Sequence, residues 1–335
     1  MVIEVDRIST VQACLAQMKT LVSIAILLLS LSLCAAQAKT PRTPEDYNNR
    51  GLERQANGDI DGAIEDYTKA ISLKGKPFTI ATAYNNRANA LIAKNDLDGA
   101  IADYSKAIEL QPTNFENYYN RGVALMSKND NDEAIADFSK TLELHPGLPV
   151  ALNNRANARK AKGDVPGALN DYSKAIEANP KYAEAYYNRG AALQGQNDLD
   201  GAIKDYSSAI NLAPMFADAY VNRGGARQAK GDLDGALADY NQALELKADD
   251  AGTYYARATA RQAKHDLNGA LTDYSKTIQL DPTSANAYAN RAVIEAEQGK
   301  NVEAFNDFER AFEIDPSLRP VHKNYIEKKL HRKAP

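Results

Sequence analysis

The 335 residues include no tryptophan, and only two cysteines, four methionines and four histidines. Both cysteines, Cys14 and Cys34, lie near the N-terminus, so the body of the chain has no thiol. This excludes disulfides and cysteine catalysis there, and leaves packing alone to hold the fold. The histidines His145, His265, His322 and His331 stand singly, without metal-ligand spacing. Phosphate-loop, G-x-S-x-G and H-E-x-x-H patterns are also missing, so no catalytic residue, metal or cofactor is called for. The one long apolar run, Leu21 to Leu33, is too short to span a bilayer as a helix. Excess charge is scarce as well. A formal net charge of −4 argues against a general nucleic-acid binder. Its distribution is uneven, however: residues 319–335 carry +5, residues 1–38 carry none, and the remainder is −9.

What is present begins with a leader. Met18-Lys19-Thr20 precedes the apolar run and Ala36-Gln37-Ala38 follows it. A basic start, an apolar segment and an A-x-A site form a secretory signal, cut after Ala38. The ordinary polar mix of Met1 to Gln17 makes Met18 an alternative natural start. A rival processing route is a lipid anchor at Cys34, because Leu31-Ser32-Leu33-Cys34 is similar to a lipobox. Against it, Leu33 is larger than the residue such a site carries. The leader is therefore 1–38 and a short linker is 39–43.

The body is periodic. Arginine followed by glycine or alanine recurs at Arg50, Arg87, Arg121, Arg155, Arg189, Arg223, Arg257 and Arg291, preceded by asparagine in seven of the eight. The first interval is 37 residues and the other six are 34. Sixteen residues after each arginine comes aspartate plus an aromatic, from Asp66-Tyr67 to Asp307-Phe308. Each unit reads as two helices. In the second, Tyr84, Ala88 and Leu91 share one face of the first helix. Asn95-Asp96 then breaks the pattern, as Gly58-Asp59, Gly163-Asp164 and Gly231-Asp232 do elsewhere. Glycine and asparagine end a helix in the left-handed region, and aspartate caps the next one. Ala100, Ile101, Tyr104, Ala107 and Ile108 form the apolar face of the second helix, and Pro112 stops it.

Tyr84, Ala88, Ala100, Tyr104, Ala107 and Pro112 match the tetratricopeptide pattern of aromatic, small residue, alanine, aromatic, alanine and proline. The body thus resembles the tetratricopeptide-repeat family, in an Asn-Arg-Gly/Ala variety. The resemblance implies an all-α, right-handed superhelical solenoid of eight repeats: 44–80, 81–114, 115–148, 149–182, 183–216, 217–250, 251–284 and 285–318. Basic residues 319–335 follow as capping helix and tail, with Val321, Tyr325 and Ile326 facing the last repeat. Leu152 replaces the first aromatic of repeat 4, and Ala248 the closing proline of repeat 6. Lys74-Gly75-Lys76-Pro77 and three extra residues are expected to loosen the joint between repeats 1 and 2. Small residues at Gly51, Ala88, Gly122, Ala156, Gly190, Gly224, Ala258 and Ala292 are expected to let helix backbones approach.

The family usually has leucine where this chain has arginine. A charge left alone in an apolar core is very costly, so each arginine is expected to pair with an aspartate of its own or the adjacent repeat. The candidate pairs draw on Arg87, Arg121, Arg155, Arg189 and Arg223 with Asp103, Asp137, Asp171, Asp205 and Asp239. The competing reading makes the arginines a ladder for an anionic ligand. By resemblance, ligands contact the first helices. The candidates there are Tyr119, Tyr187, Tyr255, Asn85, Asn89, Asn153, Asn157, Gln194, Gln228 and Gln262. Amides both donate to and accept from a peptide bond, and tyrosine adds contact area at low entropic cost. A row of asparagines from Asn49 to Asn290 fits ligand contact or tethering of neighbouring first helices equally well. Glu45, Glu116, Glu184 and Asp218 stand where carboxylate-gripping relatives carry cations. Together these features imply an exported, non-enzymatic scaffold for a protein or extended peptide, periplasmic or secreted. The alternatives are a carbohydrate-binding protein and an outer-membrane envelope-assembly lipoprotein.

Overall fold

The computed structural model describes residues 41–329, and every regular element among them is an α-helix. The leader, with the proposed signal and Cys34, lies outside the described residues. The chain forms two compact units, one ending at Gln111 and the other beginning at Pro112. The first holds α1 (Pro44–Ala56), α2 (Ile60–Ser72), α3 (Pro77–Ala93) and α4 (Leu97–Leu110). The second holds α5 (Phe115–Ser127), α6 (Asn131–Leu144), α7 (Pro149–Ala161), α8 (Val165–Ala178), α9 (Ala183–Gly195) and α10 (Leu199–Leu212). It continues with α11 (Ala217–Ala229), α12 (Leu233–Leu246), α13 (Ala251–Ala263), α14 (Leu267–Leu280), α15 (Ala285–Glu297), α16 (Asn301–Ile314) and α17 (Leu318–Lys329). Within each unit, consecutive helices pair as hairpins, and each hairpin packs on the next.

Short local signals set the hairpins. Every first helix passes into its partner through one left-handed residue: Gly58, Asn95, Asn129, Gly163, Asn197, Gly231, His265 or Gly299. His265 thus occupies a turn position that glycine and asparagine fill elsewhere. The aspartate that follows caps the second helix, as where the Gly99 N–H donates to Asp96 Oδ1 at 2.9 Å. A methyl on Gly99 would stand 2.5 Å from the other oxygen of that carboxylate, Oδ2. Repeats 3 and 8 carry Glu133 and Glu303 in place of that glycine, and their second helices have no side-chain cap. Proline opens α1, α3 and α7 in the first turn, where its missing N–H costs nothing.

The residues added between repeats 1 and 2 do not open a loop. They lengthen α3, which starts at Pro77 and runs for 17 residues instead of the usual 13. Its extra turn is used: Thr79 Oγ1 donates to Glu45 at 2.7 Å, across the joint.

The core is a file of aromatic rings seated on small residues. Tyr67, Tyr104, Tyr172, Tyr206, Tyr240, Tyr274, Phe138 and Phe308, from the second helices, are all at most 2% exposed. They fill the space left by Gly51, Gly122, Gly190, Gly224 and the alanines at the same register.

At the C-terminal end, α17 covers repeat 8. Ile326 is fully buried among Phe308, Phe312 and Ala292, and Tyr325 Oη donates to the Val293 carbonyl at 3.1 Å. Val321, expected in this contact, is instead 72% exposed. Helical spacing places His322 inward, with its ring 5.2 Å from Phe308. Burial holds the His322 pKa below its ordinary 6.5. Unfolding therefore takes up a proton, and the contact, intact at neutral pH, weakens as pH falls below about 6.5. Hydrogen exchange of α17, corrected for intrinsic rates, should be faster at pH 5.5 than at pH 7.5, and His322→Phe should abolish the difference. Equal protection at both pH values in the natural protein would contradict this.

Candidate functional site

In every repeat the first-helix arginine forks onto the second-helix aspartate of the same repeat. Arg87 Nε donates to Asp103 Oδ2 at 2.6 Å, and Nη2 to Oδ1 at 2.7 Å. Arg121–Asp137, Arg155–Asp171, Arg189–Asp205 and Arg223–Asp239 repeat the fork, as do Arg50–Asp66, Arg257–Asp273 and Arg291–Asp307. All eight aspartates are buried. The remaining guanidinium nitrogen reaches back one repeat: Nη1 of Arg155 donates to Ser139, of Arg189 to Ser173, of Arg223 to Ser207 and of Arg257 to Asn241. Arg87 and Arg291 reach Thr68 and Ser275 in the same way. In seven repeats a tyrosine three residues earlier lies 5.3–6.0 Å from the guanidinium carbon. An anion approaching these arginines would have to displace a buried carboxylate.

A second set of arginines escaped the sequence reading. Arg159, Arg227 and Arg261 place Nη1 2.8–2.9 Å from Asp171, Asp239 and Asp273, so these carboxylates each serve two guanidiniums. The available signal was an arginine one helical turn after the first, where repeats 2, 3 and 5 have Leu91, Leu125 and Leu193. Repeat 8 has Glu295 there, and its carboxyl is pushed up by burial and then by the Asp307 charge.

Two further rows join neighbouring repeats. The asparagine row tethers first helices: Asn154 Nδ2 donates to Tyr119 Oη at 3.2 Å, Asn222 to Tyr187 at 2.9 Å and Asn290 to Tyr255 at 3.1 Å. Asn188 donates to Asn153 and Asn86 to Asn48. At the joint between repeats 6 and 7, donor and acceptor vanish together, leaving Ala256 beside Val221 in an apolar cluster. The outer row pairs Lys94 with Asp61, Lys162 with Asp132, Lys230 with Asp200 and Lys264 with Asp234. Where Asp gives way to Asn268, lysine gives way to Gln298, which donates to it at 3.3 Å. Where Pro166 stands in the aspartate row, Gln196 stands in the lysine row.

The amides proposed for ligand contact have partners too. Each buried tyrosine hydroxyl donates to an amide oxygen of its own first helix: Tyr104 to Asn89, Tyr172 to Asn157, Tyr206 to Gln194, Tyr240 to Gln228 and Tyr274 to Gln262. Burial raises these phenols, to about 12 for Tyr104 and Tyr240. The two repeats with phenylalanine, Phe138 and Phe308, have Val123 and Val293 where Asn89 and Asn157 stand. Asn89 also donates to Asn85, and Asn153 is buried with its oxygen committed to Asn188. We therefore expect Tyr172→Phe to cost about 1 kcal/mol by leaving the Asn157 oxygen without its donor. Adding Asn157→Val should recover most of it. Thermal unfolding of the single and double variants tests this, and equal losses in both would show that the two residues act independently.

Family comparison agrees with this geometry. Models described as TPR repeat match residues 88–128, 156–197 and 226–264. Others described as tetratricopeptide repeat match 47–77, 116–148, 183–216 and 255–318. The chain belongs to the tetratricopeptide-repeat family. No curated protein matches it. Among solved structures, a tetratricopeptide repeat protein from Parabacteroides merdae is similar at 22% identity and a TM-score of 0.55, over 77% of this chain and 98% of that one. The C-terminal part of a TPR repeat-containing protein from Cytophaga hutchinsonii gives 18% identity and 0.57, over 69% and 95%. YrrB, described as a TPR protein with an unusual peptide-binding site, gives 28% identity and 0.48, over 58% and 98%.

In this tetratricopeptide array, Tyr119, Tyr187 and Tyr255 are part of the packing and part of the surface. Their rings lie 5.8–5.9 Å from the core rings of Phe138, Tyr206 and Tyr274. Each is half-buried, and each hydroxyl accepts an asparagine N–H while keeping its own proton to donate. Burial raises all three phenols, and for Tyr187 the Asp218 charge adds to it. A cleft of about 240 Å³ adjoins Tyr255, lined with Gly252, Thr277, Asp281, Ser284 and Asn286. Among the described residues no group of histidine, cysteine and carboxylate side chains could hold a metal ion, and no helix is long and apolar enough to cross a membrane.

Proposed function

We propose that this tetratricopeptide-repeat protein is a non-enzymatic scaffold that holds an extended peptide, or a segment of a partner protein, on the first-helix face of repeats 3 to 8. The observation that carries the reading is the tyrosine row. Tyr119, Tyr187 and Tyr255 recur at one register on alternate repeats, half-exposed, each with a hydroxyl proton to give. The arginines and aspartates satisfy one another, so what the face offers a partner is hydrogen bonds, ring surface and the exposed carboxylates of Glu116, Glu184 and Asp218. The proposal includes export to the periplasm or beyond, a reading supported by the signal-like pattern of Met18-Lys19-Thr20, the apolar run and Ala36-Gln37-Ala38. A photo-crosslinking residue at 119, 187 or 255, introduced in living cells, should capture a discrete protein. The same residue at Lys276, on a second helix, should capture none. Equal capture from both faces, or capture from Lys276 alone, would overturn the assignment of the face, and binding on a glycan array would favour a carbohydrate ligand instead.

A further inference from the structure

Among the first helices of repeats 3 to 8, Gly225 is the one interior glycine whose packing does not account for it; Gly195 and Gly252 are as open but lie in the terminal turns of α9 and α13. Gly225 lies in the interior of α11, where glycine destabilises a helix relative to alanine. Its neighbour Gly224 has a reason: a methyl there would meet the Tyr240 ring at 2.8 Å. A methyl on Gly225 would find only Gln194 Nε2 and Tyr240 Oη, both at 3.9 Å, an ordinary contact. The same register holds Val123, Asn157, Ala191, Thr259 and Val293, so the fold accepts side chains there in every other repeat of this unit. Glycine in such a place leaves room for something that approaches the helix backbone closely.

The surroundings describe that visitor. Gln194 has its oxygen taken by Tyr206, and among the described residues its NH2 has no hydrogen bond, so it can donate to a carbonyl. Asp218 lies two helical turns before Gly225 on the same face of α11 and is exposed. Across α5, α9 and α11 the equivalent residues are Glu116, Glu184 and Asp218, all exposed, and repeats 4, 7 and 8 have Val150, Gly252 and Asn286. That edge is acidic, with no cation at its register.

We infer that Gly225 is where the main chain of a basic, extended segment crosses α11, its carbonyl taken by the Gln194 amide and a lysine or arginine directed toward Asp218. This inference rests on the scaffold reading and names its partner class. The experiment uses the full chain and three fluorescein-labelled decapeptides, (Ala-Lys)5, (Ala-Ser)5 and (Ala-Glu)5, followed by fluorescence anisotropy. The lysine peptide should bind best, and Asp218→Asn should weaken it. Gly225→Ala should weaken it about tenfold, the discrimination one methyl gives in a close-fitting site. The same variant should melt higher, by about 2–4 °C, so the loss cannot be attributed to unfolding. Adventitious attraction of a cation to an acidic protein would be indifferent to that methyl. Lysine-peptide binding unchanged by Gly225→Ala, or a preference for the serine or glutamate peptide, would overturn this inference and leave the scaffold standing. Binding of none of the three peptides would overturn both.

Discussion

Replacing Asp171 with alanine is expected to destabilise repeat 4 by about 3–5 kcal/mol, the range for stranding a buried charge. Asp171 is fully buried and holds Arg155 by a two-bond fork and Arg159 by a further contact. Its loss leaves Arg155, 14% exposed, without a counter-charge, and Arg159, 24% exposed, with only the 3.8 Å contact to Asp164. Asp205→Ala removes the partner of Arg189 alone and should fall at the lower end of that range. The cost lies in breaking the pair, not in lacking it. Arg189→Leu combined with Asp205→Leu should therefore sit close to the natural protein, since leucine is what the family usually places at the arginine position. Because repeats couple mainly to their neighbours, hydrogen exchange within repeat 4 is a better reading than a single melting midpoint. A loss below about 1 kcal/mol for Asp171→Ala would rank the fork with exposed surface pairs.

Gly224→Leu is the second severe change, expected to cost about 3 kcal/mol through overpacking. The first carbon added at Gly224 already meets Tyr240 Cε1 at 2.8 Å and Cδ1 at 3.0 Å. That ring cannot easily withdraw, because it is 2% exposed and its hydroxyl is held by Gln228 at 2.8 Å. Alanine is tolerated at this register in repeats 2, 4, 7 and 8, so Gly224→Ala should be far milder than leucine. Limited proteolysis should cut Gly224→Leu within repeat 6 while the natural chain resists. A variant as resistant as the natural protein would mean that the hairpin opens without penalty.

Much of this architecture was legible because its determinants are local. Turn residues, aspartate caps and the spacing of small and aromatic residues gave the hairpins, and the recurrence of arginine with aspartate pointed to a pairing. Three things were hidden. The direction of the pairing, within a repeat and not between repeats, depends on how the two helices of a hairpin face each other. The orientation of α17 depends on a rotation that brings His322 inward and leaves Val321 out, a choice that short apolar patterns do not encode. The amide positions looked like ligand contacts because their core partner, the buried tyrosine, lies 12 or 15 residues away on another helix. A stronger sequence signal was available in paired changes: tyrosine with an amide, phenylalanine with valine, aspartate with lysine, and proline with glutamine.

Those paired changes make the 34-residue unit a module with rules of exchange. Excising repeats 6 and 7 together would set Asn290 against Tyr187 and Arg291 against Ser207, mates of the kinds each already has. Excising repeat 7 alone would set Asn290 against Val221, and excising repeat 6 alone would set Tyr187 against Ala256; either way one polar group loses its mate. The silent joint between Val221 and Ala256 thus binds two neighbours into a single block, and the chain can change its length by that block with both the asparagine and the arginine rows rematched, at the cost of setting Gln298 against Asp200 in the exposed outer row.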